Sequence, residues 1–432
     1  MAADFGYTTL DSAGTVASPG AALTPRRPWM GRRIVLGVTG GIAAYKSVQL
    51  ARDLTRLGAD VDVVLTRSAR RFVAPLSFEG VTGRPAPTDL FSTDGAALHI
   101  RLGWEADVVC VAPATADFLS RAAQGRADDL ICTTLLATRA PVVLCPAMND
   151  RMFAHPQVQE NLAYVRDRLG YAIAGPAEGA LAAGEGEGEG PGRMLEPSQI
   201  EEAIGRALGQ DEAFAGRRVL VTGGPTREPI DPVRYVGNRS SGRMGYAIAQ
   251  AAWRRGADVT LVSGPSFLEH PFGVDVVRVE TAEEMLDAVS GLLPSADVSV
   301  FAAAVADFRP TDPEDEKVKR EDTGDELAVS MTANPDIAGR TATMRKPGSV
   351  AVGFALETED VIENAARKLK KKAFDLVVAN DATEEGAGFE GVTNRVTILS
   401  ADGEPEALPL MSKDEVAEEI LDRVASRLGE VG

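Results

Sequence analysis

The sequence predicts an α/β protein made of two doubly wound, Rossmann-like domains. Short apolar runs alternate with amphipathic stretches along the chain, which is typical of parallel strands covered by helices on both faces. The pattern then restarts: RRVLVTGGPT at 217–226 echoes RRIVLGVTGG at 32–41, and ADVSVFAAAVADF at 296–308 echoes ADVVCVAPATADF at 106–118. We interpret the echo as two independent domains of one fold type, although shared ancestry would also produce it.

Length and composition limit the class of protein. The 432 residues exceed one ordinary hydrophobic core, and 44% hydrophobic with 25% charged residues is normal for a globular chain. The formal net charge of −18 argues against nucleic acid as a partner, because nucleic-acid binders carry a basic footprint. No apolar stretch reaches the roughly 18 residues of a membrane-spanning helix, so we expect no membrane association.

The positions of the cysteines and histidines argue against disulfide bonds and against a zinc site. Cys110, Cys132 and Cys145 form no CxxC pair, and two of them lie in apolar, strand-like runs. We therefore expect buried thiols rather than disulfides, which indicates a reducing compartment and a cytoplasmic protein. None of the three histidines stands at zinc-ligand spacing from a cysteine or a carboxylate, so a zinc site is improbable.

Changes in composition divide the chain into segments. Residues 1–30 are rich in Ala, Gly, Thr, Ser and Pro and are predicted to be a disordered extension, with Met30 a candidate for the true start. Residues 31–197 form the first domain and 198–215 a linker that begins with a helix. The second domain is predicted to occupy 216–432.

Each domain is predicted to begin with a strand, a Gly-Gly loop and a helix. In the first domain we expect strands at 34–38, 61–66, 106–115 and 140–149 and a helix at 43–58. In the second we expect strands at 217–226, 256–264 and 296–308 and a basic helix at 359–372. Ligands of such sheets bind outside the carboxyl ends of the strands, so the residues that follow each strand are the candidates for a site.

Small and hydroxyl-bearing residues follow the strands of the first domain. The loop 37–42 opens a helix, and its backbone N–H groups favour a phosphate. It is not G-x-G-x-x-G, and Thr66 rather than an acidic ribose ligand ends the next strand, which suits a flavin mononucleotide better than a dinucleotide. Thr115 is either a ring contact or part of a tight turn, and Asn149 either holds a carboxylate or forms a turn. A lone histidine such as His99 is usually structural.

As a set, the segments of the first domain resemble the phosphopantothenoylcysteine decarboxylase family of homo-oligomeric FMN proteins. The set spans about 33–197 and consists of GGIAAYK (40–46), HI (99–100), APATAD (112–117), ADDL (127–130), PAMN (146–149) and GPGRM (190–194). The resemblance implies that FMN binds near Gly41, Ile42, Thr66, Ala114, Thr115 and Met148. It also implies that His99 and Asn149 are catalytic.

The chemistry that this resemblance implies is a flavin-assisted decarboxylation. A carboxylate beside a saturated carbon does not lose CO2, because the resulting carbanion has no electron sink. Oxidation of the cysteine thiol by flavin would supply that sink, and reduced flavin would later return the electrons. In this scheme His99 assists proton movement and Asn149 grips the carboxylate.

The Gly- and Glu-rich segment 175–197 departs from the family at one position. It cannot bury a core and is predicted to be a loop or flap. The family commonly has a cysteine before G-x-G-R-M, whereas this chain has Ala183. We expect another proton donor to replace the cysteine while Arg193 and Met194 still close over the substrate. The alternative is an FMN-binding regulatory protein with an inactive decarboxylase site.

The second domain has anion-compatible segments of its own. VTGGPT at 221–226 is a second phosphate-compatible loop, and SSGRMG at 240–245 opens a helix, which favours an anion, although a simple helix cap is the commoner case. Five of the six residues at 367–372 are positively charged. They are either a solvated helix end or a polyphosphate clamp, in which Lys368 and Lys372 would share one face.

Together the segments of the second domain resemble phosphopantothenate–cysteine ligase over about 216–428. The set adds DPVRYVGN (231–238), AAAVADF (302–308), EKVK (316–319), NPDI (334–337) and GFALET (353–358), and Arg243 replaces the usual lysine. The resemblance implies that CTP binds at Ala303, Asp307, Lys317, Asn334, Pro335, Asp336, Ile337, Phe354, Lys368 and Lys372. It implies that Arg234 and Asn238 act on the acyl intermediate and that Mg²⁺ accompanies the nucleotide.

The two resemblances imply two successive reactions of coenzyme A biosynthesis. The carboxylate of phosphopantothenate would attack the α-phosphate of CTP and expel pyrophosphate, with Lys317 stabilising the growing charge, and the amine of cysteine would then displace CMP. The product is the substrate of the decarboxylase. The resemblance also suggests trimers through the first domain and dimers through the second, a combination that gives a dodecamer. A generic NAD(P) dehydrogenase is disfavoured by the absence of G-x-G-x-x-G.

Overall fold

The computed structural model describes residues 24–91, 97–180, 189–323, 326–357, 359–381, 391–401 and 403–431. Within these ranges the chain forms two α/β domains, each with a parallel sheet between helices, as the alternating sequence pattern predicts. No helix among these residues is long and apolar enough to cross a membrane.

The first sheet has five parallel strands in the order β2-β1-β3-β4-β5. The strands are β1 (Arg33–Val38), β2 (Asp60–Leu65), β3 (Val108–Ala114), β4 (Val142–Pro146) and β5 (Ala172–Ile173). The helices are α1 (Ala44–Arg56), α2 (Pro75–Thr82), α3 (Leu98–Glu105), α4 (Ala116–Ala123), α5 (Leu130–Ala137), α6 (Asp150–Phe153), α7 (Pro156–Asp167) and α8 (Pro197–Leu208). The order reverses between β1 and β3, which is where ligands bind in open sheets of this kind.

Two clusters of buried side chains cover the two faces of this sheet. Cys110 and Cys145 belong to one cluster with their sulfurs 4.0 Å apart, Cys132 belongs to the other, and all three are free thiols. Helix α8, which the sequence assigned to a linker at 198–215, contributes the fully buried Ile200 and Ile204 to the first cluster. The linker assignment is therefore wrong for α8, because its apolar face packs on α1 as part of the first domain.

The second sheet has eight strands in the order β12-β11-β8-β13-β16-β17-β19-β20. Its strands are β8 (Arg218–Gly223), β11 (Asp258–Ser263), β12 (Asp275–Arg278), β13 (Val298–Phe301), β16 (Val350–Glu357), β17 (Leu376–Asp381), β19 (Thr397–Ser400) and β20 (Glu406–Ala407). Those from β12 to β17 are parallel, and β19 and β20 are added antiparallel. The point of reversal lies between β8 and β13.

Three short strand pairs and six helices complete the second domain. The pairs are β9 (Arg227–Pro229) with β10 (Tyr235–Gly237), β14 (Phe308–Pro310) with β15 (Met331–Ala333), and β18 (Thr393–Asn394) with β21 (Met411–Ser412). The helices are α9 (Arg243–Arg254), α10 (Ala282–Leu292), α11 (Arg320–Thr323), α12 (Ile337–Thr341), α13 (Val361–Lys371) and α14 (Lys413–Val431). Helices α9 and α14 pack side by side on the core.

The segment predicted to be a loop or flap contains a β-hairpin. Strands β6 (Ala177–Ala180) and β7 (Glu189–Arg193) pair antiparallel, and residues 181–188 between them lie outside the described residues. The Gly-rich composition does not prevent this pairing, because strand hydrogen bonds use the backbone alone. Ala183, the predicted departure from the family, falls in the part that the structure does not describe.

Residues 24–30, predicted to belong to a disordered extension, are packed against both domains. Trp29 is fully buried beside Gly205 of α8, and its indole N–H donates to the backbone oxygen of Glu201 at 3.2 Å. The Arg27 guanidinium pairs with Glu419 at 2.7 Å and with Asp422 at 2.9 Å, both on α14. The prediction is wrong for this short stretch, because a single tryptophan and its flanking arginines supply contacts that bulk composition does not reveal.

Candidate functional site

Two cavities lie at the carboxyl ends of the two parallel sheets. The first, of about 1290 Å³, is bordered by residues that follow β1, β2, β3 and β4. The second, of about 540 Å³, is bordered by residues at the carboxyl-terminal ends of β8, β13 and β16. This is the position that the sequence predicts for both sites.

Most of the residues predicted to bind FMN line the first cavity. They are Gly41, Ile42, Thr66, Thr115 and Met148, and Asn149, Arg193 and Met194 line it as well. Ala114 is the last residue of β3 and lies under the lining rather than in it. The first cavity thus combines backbone of a glycine loop, hydroxyl groups and an amide.

The glycine loop after β1 lies too close to its neighbour for a side chain. A Cβ at Gly40 would lie 2.4 Å from the Cβ of Ser68 and 2.9 Å from its backbone carbon. By contrast, the nearest atom to a Cβ at Gly41 would be Thr115 Cγ2 at 3.4 Å. Gly40 therefore allows the loops after β1 and β2 to meet, and their backbone and hydroxyl groups border the same end of the cavity.

The polar side chains of this cavity are held by local hydrogen bonds. Thr39 donates to the carbonyl of Pro113 at 2.7 Å, which ties the loop after β1 to β3. Thr115 caps α4 by accepting from Phe118 N at 3.4 Å, and Asn149 Oδ1 accepts from Arg151 N at 3.0 Å. The turn interpretation therefore holds for Thr115 and Asn149, and both residues also line the cavity, where a ring contact by Thr115 and a carboxylate contact by Asn149 stay predictions.

Only one of the two predicted catalytic residues, His99 and Asn149, lines the first cavity. His99 lies in the first turn of α3 and is not among the residues that line the first cavity. Its Nδ1 is buried without a hydrogen-bond partner among the described residues. Of the two predicted catalytic residues of this domain, only Asn149 faces the cavity.

A buried lysine that we did not single out in the sequence joins the cavity to the hairpin. Lys46 Nζ in α1 donates to Glu196 Oε1 at 2.8 Å and to the Met194 carbonyl at 3.3 Å. Arg193 also donates to Glu196 Oε1 at 2.5 Å. These bonds lower the pKa of the Glu196 carboxyl although partial burial opposes them. Lys46 ends the motif GGIAAYK, but only the folded hairpin reveals its partner.

A second charged group borders the first cavity beside α4. The Arg121 guanidinium bonds to Asp129 at 2.8 Å and also contacts Asp128 and Asp117. The arginine is mostly buried, and the bond from Arg121 lowers the pKa of the Asp128 carboxyl. The motif ADDL thus supplies the partners of an arginine whose role the sequence alone does not indicate.

Nine of the ten residues predicted to bind CTP line the second cavity. They are Ala303, Asp307, Asn334, Pro335, Asp336, Ile337, Phe354, Lys368 and Lys372, and the cavity is also lined by Asn238. Asn238 Nδ2 donates to the carbonyls of Ala304 and Val305 at 3.2 and 3.1 Å, which fixes its amide at the end of β13.

The two lysines of α13 form a positively charged wall. Lys368 Nζ donates to the Phe354 carbonyl, and Lys372 Nζ pairs with Asp336 Oδ1 at 2.9 Å. Burial lowers the pKa of Lys368, and the neighbouring charge of Lys372 lowers it further. Lys368 and Lys372 therefore line the second cavity from one side of α13, and the polyphosphate clamp stays a prediction.

The structure does not place Arg234 and Lys317 in the lining of the second cavity. Arg234 donates to Asp231 Oδ2 at 2.9 Å and to the Val318 carbonyl at 3.0 Å, and Val318 N donates back to Asp231 at 3.2 Å. The bond from Arg234 lowers the pKa of the Asp231 carboxyl. Lys317 is exposed on the segment that these bonds hold.

Three of the polar residues that line this cavity without having been predicted to bind CTP come from α9, β18 and α14. They are Arg243 at the start of α9, Asn394 of β18 and Lys413 at the start of α14. Asn394 and Lys413 are buried, with 4% and 7% of their surface exposed. Residue type and local spacing gave no signal for the last two, because only the second domain's fold brings them together. No cluster of three or more metal-ligating side chains occurs among the described residues.

Comparisons with known proteins agree with the division of the chain into two domains. A profile described as Flavoprotein matches residues 23–209, and one described as DNA/pantothenate metabolism flavoprotein C-terminal domain matches 214–428. The chain is 45% identical to the coenzyme A biosynthesis bifunctional protein CoaBC of Vibrio vulnificus (strain CMCP6), over 92% of this chain and 98% of the relative. It is 44% identical to the proteins of that name from Escherichia coli (strain K12), covering 93% and 98%, and Mycobacterium tuberculosis (strain CDC 1551 / Oshkosh), covering 92% and 97%.

Proposed function

The chain belongs to the family of coenzyme A biosynthesis bifunctional proteins, and from that premise we propose which reaction each cavity performs. It is a bifunctional enzyme with a flavoprotein domain and a ligase domain. We propose that the second cavity joins cysteine to 4'-phosphopantothenate with CTP, and that the first decarboxylates the phosphopantothenoylcysteine. The observation that carries the proposal is the pair of separate cavities, one lined with hydroxyl groups and one with lysines.

We assign FMN to the first cavity. Its glycine loop, where no side chain fits at Gly40, and the hydroxyl groups of Thr66 and Thr115 suit a phosphate and a flat ring, and about 1290 Å³ exceeds what a flavin mononucleotide needs. Bound flavin would supply the redox step that makes loss of CO2 possible. The chain's own contribution is to hold the substrate carboxylate with Asn149 and to exclude water with Met148 and Met194.

Flavin binding is testable without turnover. Gly40→Ala should drive the Ser68 backbone away from the loop and reduce the FMN content of purified protein, measured by visible absorbance, at least about tenfold. Gly80→Ala is the matched control, because a Cβ at that exposed helical position has no atom within 4 Å. Equal flavin content in the two variants would contradict the assignment of FMN to this cavity.

We propose that a second copy of the chain completes the decarboxylase site. Asn149 faces the first cavity but His99 does not, so one chain by itself presents only half of the predicted catalytic pair. A neighbouring copy that supplies His99 would explain both its absence from the cavity lining of its own chain and its buried Nδ1 without a partner among the described residues. Decarboxylation would then require a homo-oligomer, and we propose that this oligomer is a dodecamer.

We propose that Arg193 and Met194 close the first cavity over the substrate. Lys46 holds this end of the hairpin through Glu196, so closure is coupled to the helix that follows the glycine loop. Ala183 cannot donate a proton, and solvent or another hairpin group is proposed to replace the usual cysteine. A cytoplasmic location agrees with the three free, buried cysteines.

We assign CTP to the wall formed by Lys368, Lys372 and the loop 334–337 of the second cavity. Two cations beside a helix N-terminus suit a triphosphate. The substrate carboxylate would attack the α-phosphate, pyrophosphate would leave, and the cysteine amine would then attack the acyl carbon and release CMP. Asn238, held at the end of β13, is placed to keep the acyl cytidylate for aminolysis.

We propose that Lys317 reaches the nucleotide only when its loop closes. Arg234 and Asp231 bind the neighbouring Val318, so their role is to position this loop. Mg²⁺ is proposed to accompany CTP, and its charge would stabilise the phosphate groups of the nucleotide.

A coupled assay separates the two reactions. Full-length protein is given phosphopantothenate, cysteine, CTP and Mg²⁺, and pyrophosphate and CO2 are followed separately. His99→Asn should stop CO2 but not pyrophosphate, whereas Asn238→Asp should block condensation after activation. Wild-type protein that releases pyrophosphate but never CO2 would favour the FMN-binding regulatory alternative for the first domain, to which Ala183 points. Loss of pyrophosphate release in folded His99→Asn, or loss of CO2 release from directly supplied phosphopantothenoylcysteine in folded Asn238→Asp, would refute the division of labour.

A further inference from the structure

An arginine outside the second cavity contacts the loop that we assign to CTP. Residues 334–337 of this loop line the cavity, whereas Arg309 of β14 is not among the lining residues. The Arg309 Nη1 atom donates to Asn334 Oδ1 at 3.2 Å and to the Ala333 carbonyl at 3.0 Å. Arg309 therefore reaches the first residue of the loop from outside the cavity.

A short strand pair explains why Arg309 lies beside this loop. Strands β14 and β15 pair antiparallel, with Arg309 opposite Thr332. Strand β14 directly follows Asp307, and β15 leads directly into Asn334, whose backbone N–H donates to the Asp307 carbonyl at 2.8 Å. The beginning of the loop is therefore fastened to the segment that follows β13.

Two different partners fix the orientation of the Asn334 amide. Its Nδ2 atom donates to the Ala306 carbonyl at 2.8 Å, while its Oδ1 atom accepts from Arg309. A guanidinium can only donate and a carbonyl can only accept, so turning the amide over would break both bonds. Arg309 therefore determines which atoms of Asn334 remain available to a ligand in the cavity.

The guanidinium is itself held by a carboxylate of a neighbouring helix. Arg309 Nη2 pairs with Glu283 Oε1 at 2.9 Å, in the first turn of α10. The Glu283 side chain is 62% exposed, and an exposed ion pair of this kind adds little to stability. With one nitrogen bonded to Glu283 and another to the loop, the planar guanidinium is set in one direction.

The other end of the loop is held without Arg309. Lys372 Nζ pairs with Asp336 Oδ1 at 2.9 Å, and Ile337 is buried in a cluster with Met285 of α10. Loss of the Arg309 side chain should therefore release the Asn334 amide and leave the rest of the loop in place.

We propose that Arg309 is a positioning residue of the ligase, which holds the Asn334 amide in the orientation that receives CTP. This inference rests on the proposed ligase function. An amide that is already oriented loses little rotational freedom when the nucleotide binds, whereas a free amide must be ordered at that moment. Arg309 does not line the cavity in which the groups react, so its removal should weaken CTP binding without slowing the chemical step.

The first test separates binding from chemistry in the full-length protein. Arg309→Met should raise the KM for CTP about tenfold, measured by pyrophosphate release, because both charge-assisted bonds to the loop are lost. The kcat at saturating CTP, the KM for phosphopantothenate and CO2 release from directly supplied phosphopantothenoylcysteine should change less than about twofold. Arg340→Met is the matched control, since it removes the same charge from an exposed position on α12 and should leave the KM for CTP as in wild type.

The second test asks whether Arg309 acts through Asn334. In an Asn334→Ala background the amide is gone, so adding Arg309→Met should raise the KM for CTP by less than about threefold more. A further tenfold rise would show that Arg309 acts elsewhere and would overturn the proposal. Glu283→Gln should raise the KM for CTP about threefold with kcat unchanged, and this exposed substitution decides the matter if Arg309→Met does not fold.

A wild-type KM for CTP in folded Arg309→Met, or a fall in kcat alone, would also overturn the proposal. Calorimetric titration with CTP makes the same comparison of variants without turnover. Wild type that binds CTP but releases no pyrophosphate would therefore refute the ligase assignment, while the affinities of the variants still decide the role of Arg309. Wild type that binds no CTP would overturn both.

Discussion

Trp29 provides the sharpest test of how the two domains are joined. Its indole is fully buried between α8 and the start of the chain, with Arg26 and Arg254 each 5.2 Å from the ring centre. Gly205 of α8 leaves room for the ring, because a Cβ there would lie 2.7 Å from Trp29 Cζ2. Trp29→Ala therefore removes a large side chain from a site that small neighbours and charged groups cannot refill.

The expected loss of stability in Trp29→Ala follows from the buried contacts of the indole. Replacing a buried aromatic residue by alanine costs about 3–5 kcal/mol, because the lost transfer free energy adds to that of the cavity. The indole hydrogen bond to Glu201 contributes about 1 kcal/mol of this. For a domain of this size 1 kcal/mol shifts the Tm by about 2–4 °C, so the transition of the first domain should fall by roughly 6–20 °C.

Scanning calorimetry at fixed protein and flavin concentration measures this shift. Trp104→Ala is the matched control, since that ring is 77% exposed and its loss should change stability by less than about 0.5 kcal/mol. Deletion of residues 1–29 should lower the Tm at least as much as Trp29→Ala. A Trp29→Ala protein within about 1 kcal/mol of wild type would show that the packing of residues 24–30 does not occur in solution.

Two more predictions follow from buried charged groups. Burial, followed by the charges of Asp53 and Glu202, raises the pKa of Glu201 to about 8, so the folded protein holds a proton that the unfolded chain releases near 4.5 and stability falls as pH rises between these values. In wild type this effect lowers the free energy of unfolding by up to about 1.4 kcal/mol per pH unit, and Glu201→Gln should abolish it. Denaturant unfolding of both proteins at pH 5, 7 and 9 measures the difference, and the same pH dependence of stability in both would contradict the prediction. Lys46→Met should release the hairpin from α1 and lower kcat/KM for decarboxylation about tenfold without changing flavin content or pyrophosphate release; an equal fall in both reactions would point to unfolding instead.

The sequence predicts the location of both cavities because the relevant signals are local. A glycine loop after a strand, as at 37–42, places backbone N–H groups at the carboxyl end of a parallel sheet whatever the rest of the chain does. The strands that precede Thr66, Thr115 and Asn149 are also apolar runs that lead into polar residues, so each strand can be predicted independently of the others. Periodicity and resemblance together therefore predict the fold class and most of the cavity lining.

What local signals miss are contacts between distant segments. Lys46 reaches Glu196 across the first domain, and Asn394 and Lys413 line the same cavity because β18 pairs with β21. The linker prediction was wrong for α8, because a helix between two domains resembles a linker until the structure shows that its apolar face is buried. His99 is a further case: its motif is recognisable, but the residue does not line the first cavity of its own chain.

The junction between the domains is more than a covalent link. Arg254 of α9 is buried and pairs with Glu202 of α8 at 3.0 Å and with Glu418 of α14 at 2.9 Å, and Arg255 bonds to the same Glu418 at 2.9 Å. Removing one member of such a network leaves a buried charge without its partner, which costs about 3–5 kcal/mol. Helix α14 begins at Lys413, which lines the second cavity, and continues into this network. Variants of Glu418 are therefore expected to disturb ligase kinetics as well as stability, although the residue lies away from the second cavity.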